Sequence, residues 1–141
     1  MKRALAIDYG AKRTGVAITD PERIIASGLT TLETSELNSY LDKLFLEEQI
    51  DTLVVGLPKD LDNQNNKIEQ KIVQFTQGFQ KKHPEVQIIR VDERFTSKMA
   101  FQTMIDAGIG KKARKNKALV DQISATLILQ SFLEQQNFNL L

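Results

Sequence analysis

Three acidic positions in this sequence stand where an apolar residue, or none, would be expected. Asp8 closes an apolar run, Glu93 with Asp92 beside it closes another, and Asp121 lies on a helical stripe of small and apolar residues, Ser124, Ala125, Ile128 and Phe132. Carboxylates gathered in one place repel and raise one another's pKa unless a divalent cation binds between them. The chain has no cysteine and one histidine, His83, so any ligand set here is built from oxygen, which suits hard ions, Mg²⁺ or Mn²⁺. Two such ions ~3.5 to 4 Å apart can activate a water and stabilise the leaving oxygen of a phosphodiester.

Each acid has a simpler explanation when taken alone. Asp8 could cap a hairpin turn, Asp92 or Glu93 could pair with Arg90 or Arg94, and Asp121 could favour a helix N-terminus through the dipole. Jointly these explain less than a shared ion does. The turn after Asp8 adds Gly10, Lys12, Arg13 and Gly15. The glycines would allow positive φ and close approach of a phosphate backbone, and the two cations would meet its charge. A second basic feature, Lys111, Lys112, Arg114, Lys115 and Lys117, contains no acid and sits just ahead of Asp121. It is either a solvated loop or a nucleic-acid contact.

The elements that must position these groups can be read from periodicity. In Leu5 to Tyr9 both faces of a period-2 strand are apolar, so this strand should be covered on both sides. Asp8 in that setting costs several kcal/mol unless a cation meets it. A second apolar strand after the turn and a third over Ile24 to Leu32 predict an antiparallel meander. Leu37, Leu41, Leu44 and Phe45 predict a helix from about Ser35, its N-cap, to Glu48. Thr52 to Gly56 reads as a buried parallel strand, Lys59 to Asn66 as a polar loop, and Ile68, Ile72, Phe75 and Phe79 as the stripe of a second helix ended by Pro84. His83 belongs in the loop before a fifth strand, Val86 to Val91.

Thr96 or Ser97 should cap a third helix carrying Met99, Ala100 and Met104 and stopped by Gly108. A final helix should run from Lys117 to Gln136, with Leu119, Ile123, Leu127 and Leu133 as its core stripe and a frayed tail beyond. Ser124 and Ala125 would let it approach the sheet and bring Asp121 to the strand ends. If strands one and five are neighbours, Asp8 and Glu93 leave the sheet at carboxyl ends, where open α/β sheets place ligands. The order predicts an α/β fold with one mixed sheet and helices over its faces.

At 141 residues the chain fits a single domain, residues 1–141, with a substantial core. No run approaches the ~20 apolar residues of a membrane span. The opening Met-Lys-Arg-Ala-Leu-Ala-Ile imitates a signal peptide, but Asp8 cuts its apolar run short, so a cytoplasmic location is expected. A net charge of +1 supplies no global field toward nucleic acid, leaving that task to local clusters.

Four segments in order, Ile-Asp-Tyr-Gly-Ala-Lys-Arg-Thr-Gly-Val-Ala, Val-Val-Gly-Leu-Pro, Val-Asp-Glu-Arg-Phe-Thr-Ser and Asp-Gln-Ile-Ser-Ala-Thr-Leu-Ile-Leu-Gln-Ser-Phe-Leu, resemble the YqgF-type proteins, known as pre-16S rRNA nucleases or Holliday junction resolvases. The resemblance spans nearly the whole chain. It implies a ribonuclease H-like fold with five strands, the first three a meander, and a metal-dependent active site on Asp8, Glu93 and Asp121. It also matches Arg13 and Arg94 to arginines of the family's motifs. One departure is Asp62-Asn63, where the family usually has Asp-Gly, a turn that Asn should tolerate.

The function expected on this basis is a metal-dependent endonuclease acting on structured nucleic acid, in maturation of the 5′ end of precursor 16S rRNA. Asp8, Glu93 and Asp121 would hold two Mg²⁺ or Mn²⁺ ions, and Gly10, Lys12, Arg13, Arg94, Lys111, Lys112, Arg114 and Lys115 would hold nucleic acid. Alternatives are a Holliday junction resolvase, for which a homodimer is expected, and a non-catalytic nucleic-acid adaptor with the same fold. A sugar-kinase or actin-like ATPase shares the opening Asp-x-Gly hairpin but needs two such domains, and no second phosphate hairpin is present.

Overall fold

The computed structural model describes residues 2–58, 63–93 and 116–139. Strict alternation makes the first strand, β1 (Arg3–Tyr9), a two-sided element: Leu5 and Ile7 face one way, Ala4 and Ala6 the other, and all four are fully buried. A tight turn returns the chain as β2 (Arg13–Thr19), and β3 (Ala26–Glu33) completes the antiparallel meander. A 3-10 turn (Thr34–Glu36) leads into α1 (Leu37–Glu47), followed by β4 (Ile50–Leu57), α2 (Asn63–Lys82), β5 (Gln87–Asp92) and α3 (Lys117–Asn139). The sheet order is β3-β2-β1-β4-β5, with β4 parallel to both β1 and β5.

The two faces of β1 explain the layers. Larger side chains, Leu5, Ile7, Val16, Leu53 and Val55, meet Leu37 and Leu41 of α1 and Ile72 and Phe79 of α2 in one core. Smaller ones, Ala4, Ala6 and Ala17, face α3 and its Ala125, Ile128, Leu129 and Phe132 in the other. Small residues on the sheet let α3 lie close, which matters for the site it carries. Among the described residues, no helix is long and apolar enough to cross a membrane.

Several expectations are corrected. Strands one and five are not neighbours, because β4, paired on both edges, lies between them. Ser35 lies in the 3-10 turn, and no side chain caps α1. The third strand begins at Ala26, since the Asp20 carboxylate accepts hydrogen bonds from the Ile24 and Ile25 amides and holds both in a turn. Asn63, expected in a loop with Asn66, opens α2, because the first turn of a helix has no carbonyl of its own helix for its amides and tolerates polar residues.

The last helix extends past Gln136 to Asn139. Its most buried stripe is Ala125, Ile128, Leu129 and Phe132, whereas Leu119 and Ile123 are half-buried. His83 lies between α2 and β5 as expected, but it is not merely a linker residue. Its ring stacks on Phe79 with centroids 4.5 Å apart. The expected helix with Thr96, Ser97, Met99, Ala100, Met104 and Gly108 lies outside the described residues.

Candidate active site

Asp8 occupies a cross-strand row in which its neighbours have no side chain. Gly15 is its register partner on β2, and on β4 the Ile7–Val55 pair places Gly56 alongside. Each glycine admits a different acid. A Cβ on Gly15 would lie 2.0 Å from the Asp121 carbonyl oxygen, so the backbone of α3 rests directly on β2 there. A Cβ on Gly56 would lie 2.5 Å from Cδ of Glu93, so the Glu93 side chain crosses β4 over the glycine. Glu93 is itself fixed by its amide, which donates to the Leu57 carbonyl at 2.9 Å. The separation of β1 from β5 is bridged by one glutamate side chain passing over one glycine.

The electrostatics follow from that approach. The Asp8 carboxyl is pushed well above the usual carboxylate range, first by burial, then by the charge of Glu93, a hydrogen bond with Glu93, and the charge of Asp121. The raised Asp8 carboxyl favours its protonated form unless a cation binds there. The capping explanation for Asp8 is set aside, because its carboxyl meets Glu93 rather than the turn amides. Pairing of Arg90 with the neighbouring acids is also set aside. Its guanidinium is committed to Glu69 at 2.6 and 3.1 Å and to the Val55 and Gly56 carbonyls at 3.3 and 3.0 Å.

Asp121 is placed differently. The N-cap of α3 is Asn116, whose side-chain oxygen accepts from the Ala118 and Leu119 amides at 3.0 and 3.3 Å. Asp121 therefore lies beyond the first turn, where the dipole explanation loses force. Its carboxylate accepts from Arg13 Nε at 3.2 Å. Burial raises the Asp121 carboxyl, opposed by the Arg13 hydrogen bond and charge and by the charge of Lys117. Asp8 and Glu93 are thus brought together, while Asp121 is near enough to act on Asp8 but faces Arg13. Among the described residues, no three His, Cys, Asp or Glu side chains enclose a space for an ion. The all-oxygen donor pair of Asp8 and Glu93 fits a hard divalent cation, and Asp121 is engaged by Arg13.

The turn glycines require a correction. Neither Gly10 nor Gly15 adopts positive φ; a Cβ at Gly10 would lie 2.4 Å from the Arg13 carbonyl oxygen, so compactness of the turn is the requirement there. Gly15 is covered by the backbone of α3, which leaves no room there for a phosphate backbone. Glycine inside a strand is the sequence signal for such approach, and it was present at both Gly15 and Gly56. Lys12 is exposed at the turn. Arg94, Lys111, Lys112, Arg114 and Lys115 lie outside the described residues.

Gly56→Ala separates geometry from stability. The added methyl meets the far end of a flexible side chain, so the fold should persist with Glu93 displaced from Asp8. The expected result is a ~100-fold fall in metal-dependent cleavage, the scale of an ångström-sized misplacement, with a thermal transition close to that of the parent. Parent-like cleavage would show that Glu93 need not sit against Asp8.

A family model described as RuvX, Holliday junction resolvase, matches residues 2–135. The chain belongs to this family. A relative from Christiangramia forsetii, named "Putative pre-16S rRNA nuclease", is 55% identical over 94% of this chain and 98% of its own length. One of the same name from Phocaeicola vulgatus is 51% identical over 98% and 99%. Among solved structures, "T. thermophilus RuvC in complex with Holliday junction substrate" superposes with a TM-score of 0.59 at 12% identity, covering 96% of each chain. Fowlpox virus resolvase with Holliday junction DNA gives 0.58 at 14%, covering 95% and 98%. The RuvX fold seen here is ribonuclease H-like, as the sequence resemblance implied, and the kinase or ATPase alternative has no support from the family.

Proposed function

We propose that this chain is a metal-dependent endonuclease that hydrolyses phosphodiester bonds of structured nucleic acid, with the 5′ region of precursor 16S rRNA as its substrate. The observation that carries the reading is the contact of the Asp8 and Glu93 carboxyls across Gly56, beneath a helix that holds Asp121 at the same end of the sheet. The name shared by the 46–55% identical relatives supports the rRNA substrate.

Asp8 and Glu93 would hold Mg²⁺ or Mn²⁺, and Asp121 would join them on exchanging its Arg13 partner. When bound, the metal supplies an activated water and stabilisation of the leaving oxygen. Arg13, once released, and exposed Lys12 would grip the phosphate from the turn, and the Gly10 backbone would let the strand pass close. Arg94 and the basic run Lys111, Lys112, Arg114 and Lys115 would hold flanking phosphates, which position a substrate without reading its sequence.

Cleavage of precursor 16S rRNA and of a four-way DNA junction, each with Mg²⁺, Mn²⁺ or chelator, tests the reading. Metal-dependent cutting of the RNA in preference to the junction is expected. Preferential symmetric cutting of the junction would establish the resolvase alternative, which the family description favours and for which a homodimer is expected. Chelator-resistant binding without cleavage of either substrate would establish the adaptor.

A further inference from the structure

The face of the sheet opposite Asp8 carries a second concavity, reached by the next residue of the same strand. It has a volume of about 260 Å³ and is lined by Tyr9, Thr34, Asn38, Lys71, Gln74 and Phe75. Drug-sized ligands occupy sites of ~300–1,000 Å³, so this one suits a smaller, fragment-sized group. Its aromatic wall is the Tyr9–Phe75 pair, ring centroids 5.6 Å apart and inclined by 36°. Asn38, Lys71 and Gln74 are exposed around it, and none of the three side chains has a hydrogen-bond partner among the described residues.

The pocket is physically continuous with the turn at the active site. Thr34 at its rim donates through Oγ1 to the Gly10 carbonyl at 2.6 Å, and its amide donates to the Lys12 carbonyl at 2.8 Å. The Thr34 hydroxyl also lies 2.9 Å from that of Thr14. The same short turn therefore separates the carboxylates from the pocket, and a strand crossing it reaches both.

We propose that this pocket is a subsite for an unpaired nucleobase of the bound strand, occupied while a nearby phosphate lies at Asp8 and Glu93. The proposal rests on the nuclease reading above. The chemistry of the lining selects this ligand. Primary amides at Asn38 and Gln74 each offer a donor and an acceptor, matching the mixed edge of a base, while aromatic rings offer it a stacking surface. One cation, Lys71, is too few for a pure anion site but suits the phosphate attached to such a base. Structured RNA is recognised largely through bases freed from pairing, which is the form this pocket accepts.

The test uses the full chain in excess chelator, with nucleoside 5′-monophosphates as probes, ribose 5-phosphate as the control, and NMR of the aromatic rings as the readout. Saturable shifts of Tyr9 and Phe75 with the nucleotides, absent with ribose 5-phosphate, are expected. The double variant Asn38→Ala, Gln74→Ala changes exposed side chains and should fold as the parent does. It should weaken nucleotide binding about tenfold, the scale of two lost hydrogen bonds. Equal shifts with ribose 5-phosphate, or unchanged affinity in the double variant, would overturn the subsite. The ring shifts are read without cleavage, so their absence, beside intact RNA cleavage in the separate assay, would remove the pocket alone. Intact shifts without cleavage would remove the nuclease reading alone.

Discussion

Asp8→Asn is expected to abolish metal-dependent cleavage while making the metal-free protein more stable. The substitution keeps size and hydrogen-bonding reach toward Glu93 but removes the charge that burial and two neighbouring acids disfavour. The activity loss should be on the order of 10³-fold, about 4 kcal/mol of transition-state stabilisation. The stability gain should depend on pH with a definite sign. A carboxyl whose pKa is raised on folding contributes stability that is full below its unfolded pKa and is lost as pH rises through the folded value. The parent without metal should therefore lose stability relative to Asp8→Asn as pH climbs through that window toward neutrality. Mg²⁺ should restore the parent and leave the variant little changed. Thermal melts across pH, with chelator and with Mg²⁺, check this. Parallel melting curves for the two proteins would refute the strained carboxyl pair.

Gly15→Ala should be the most damaging glycine-to-alanine change among the described residues. Its Cβ would fall 2.0 Å from a backbone oxygen of α3, where neither strand nor helix has a flexible end to move. Relief requires α3 to shift by about 1 Å or more, at a cost of about 3 kcal/mol or above, the upper range of overpacking. Asp121 would move with the helix, so cleavage should fall as well. Gly78→Ala is the matched control: nothing lies within 4 Å of a Cβ there, and the position is inside α2. Helix propensity alone should make that variant more stable by ~0.5 to 1 kcal/mol. Chemical denaturation of both variants gives the comparison, and a mild effect at Gly15 would mean the helix does not rest on the strand.

Under the proposed function, a metal that takes Asp121 as a ligand would displace Arg13 from its carboxylate and leave that arginine available to a phosphate. The hairpin would then contribute to both sides of the exchange, with Asp8 in the strand and Arg13 just after the turn.

Local pattern in the sequence determined which residues form β1, that both its faces are buried, and that Asp8 is a charge in the wrong solvent. It also placed Glu93 at a strand exit and Asp121 on the sheet-facing side of the last helix, because side-chain periods of 2 and 3.6 assign faces without reference to the rest of the chain. Periodicity assigns a face but not a neighbour. That β4 lies between β1 and β5, that Glu93 reaches Asp8 only over Gly56, and that Gly15 seats α3 are facts about chain segments remote in sequence. Only tertiary structure decided them, since a glycine's missing side chain has no meaning until something else fills its space.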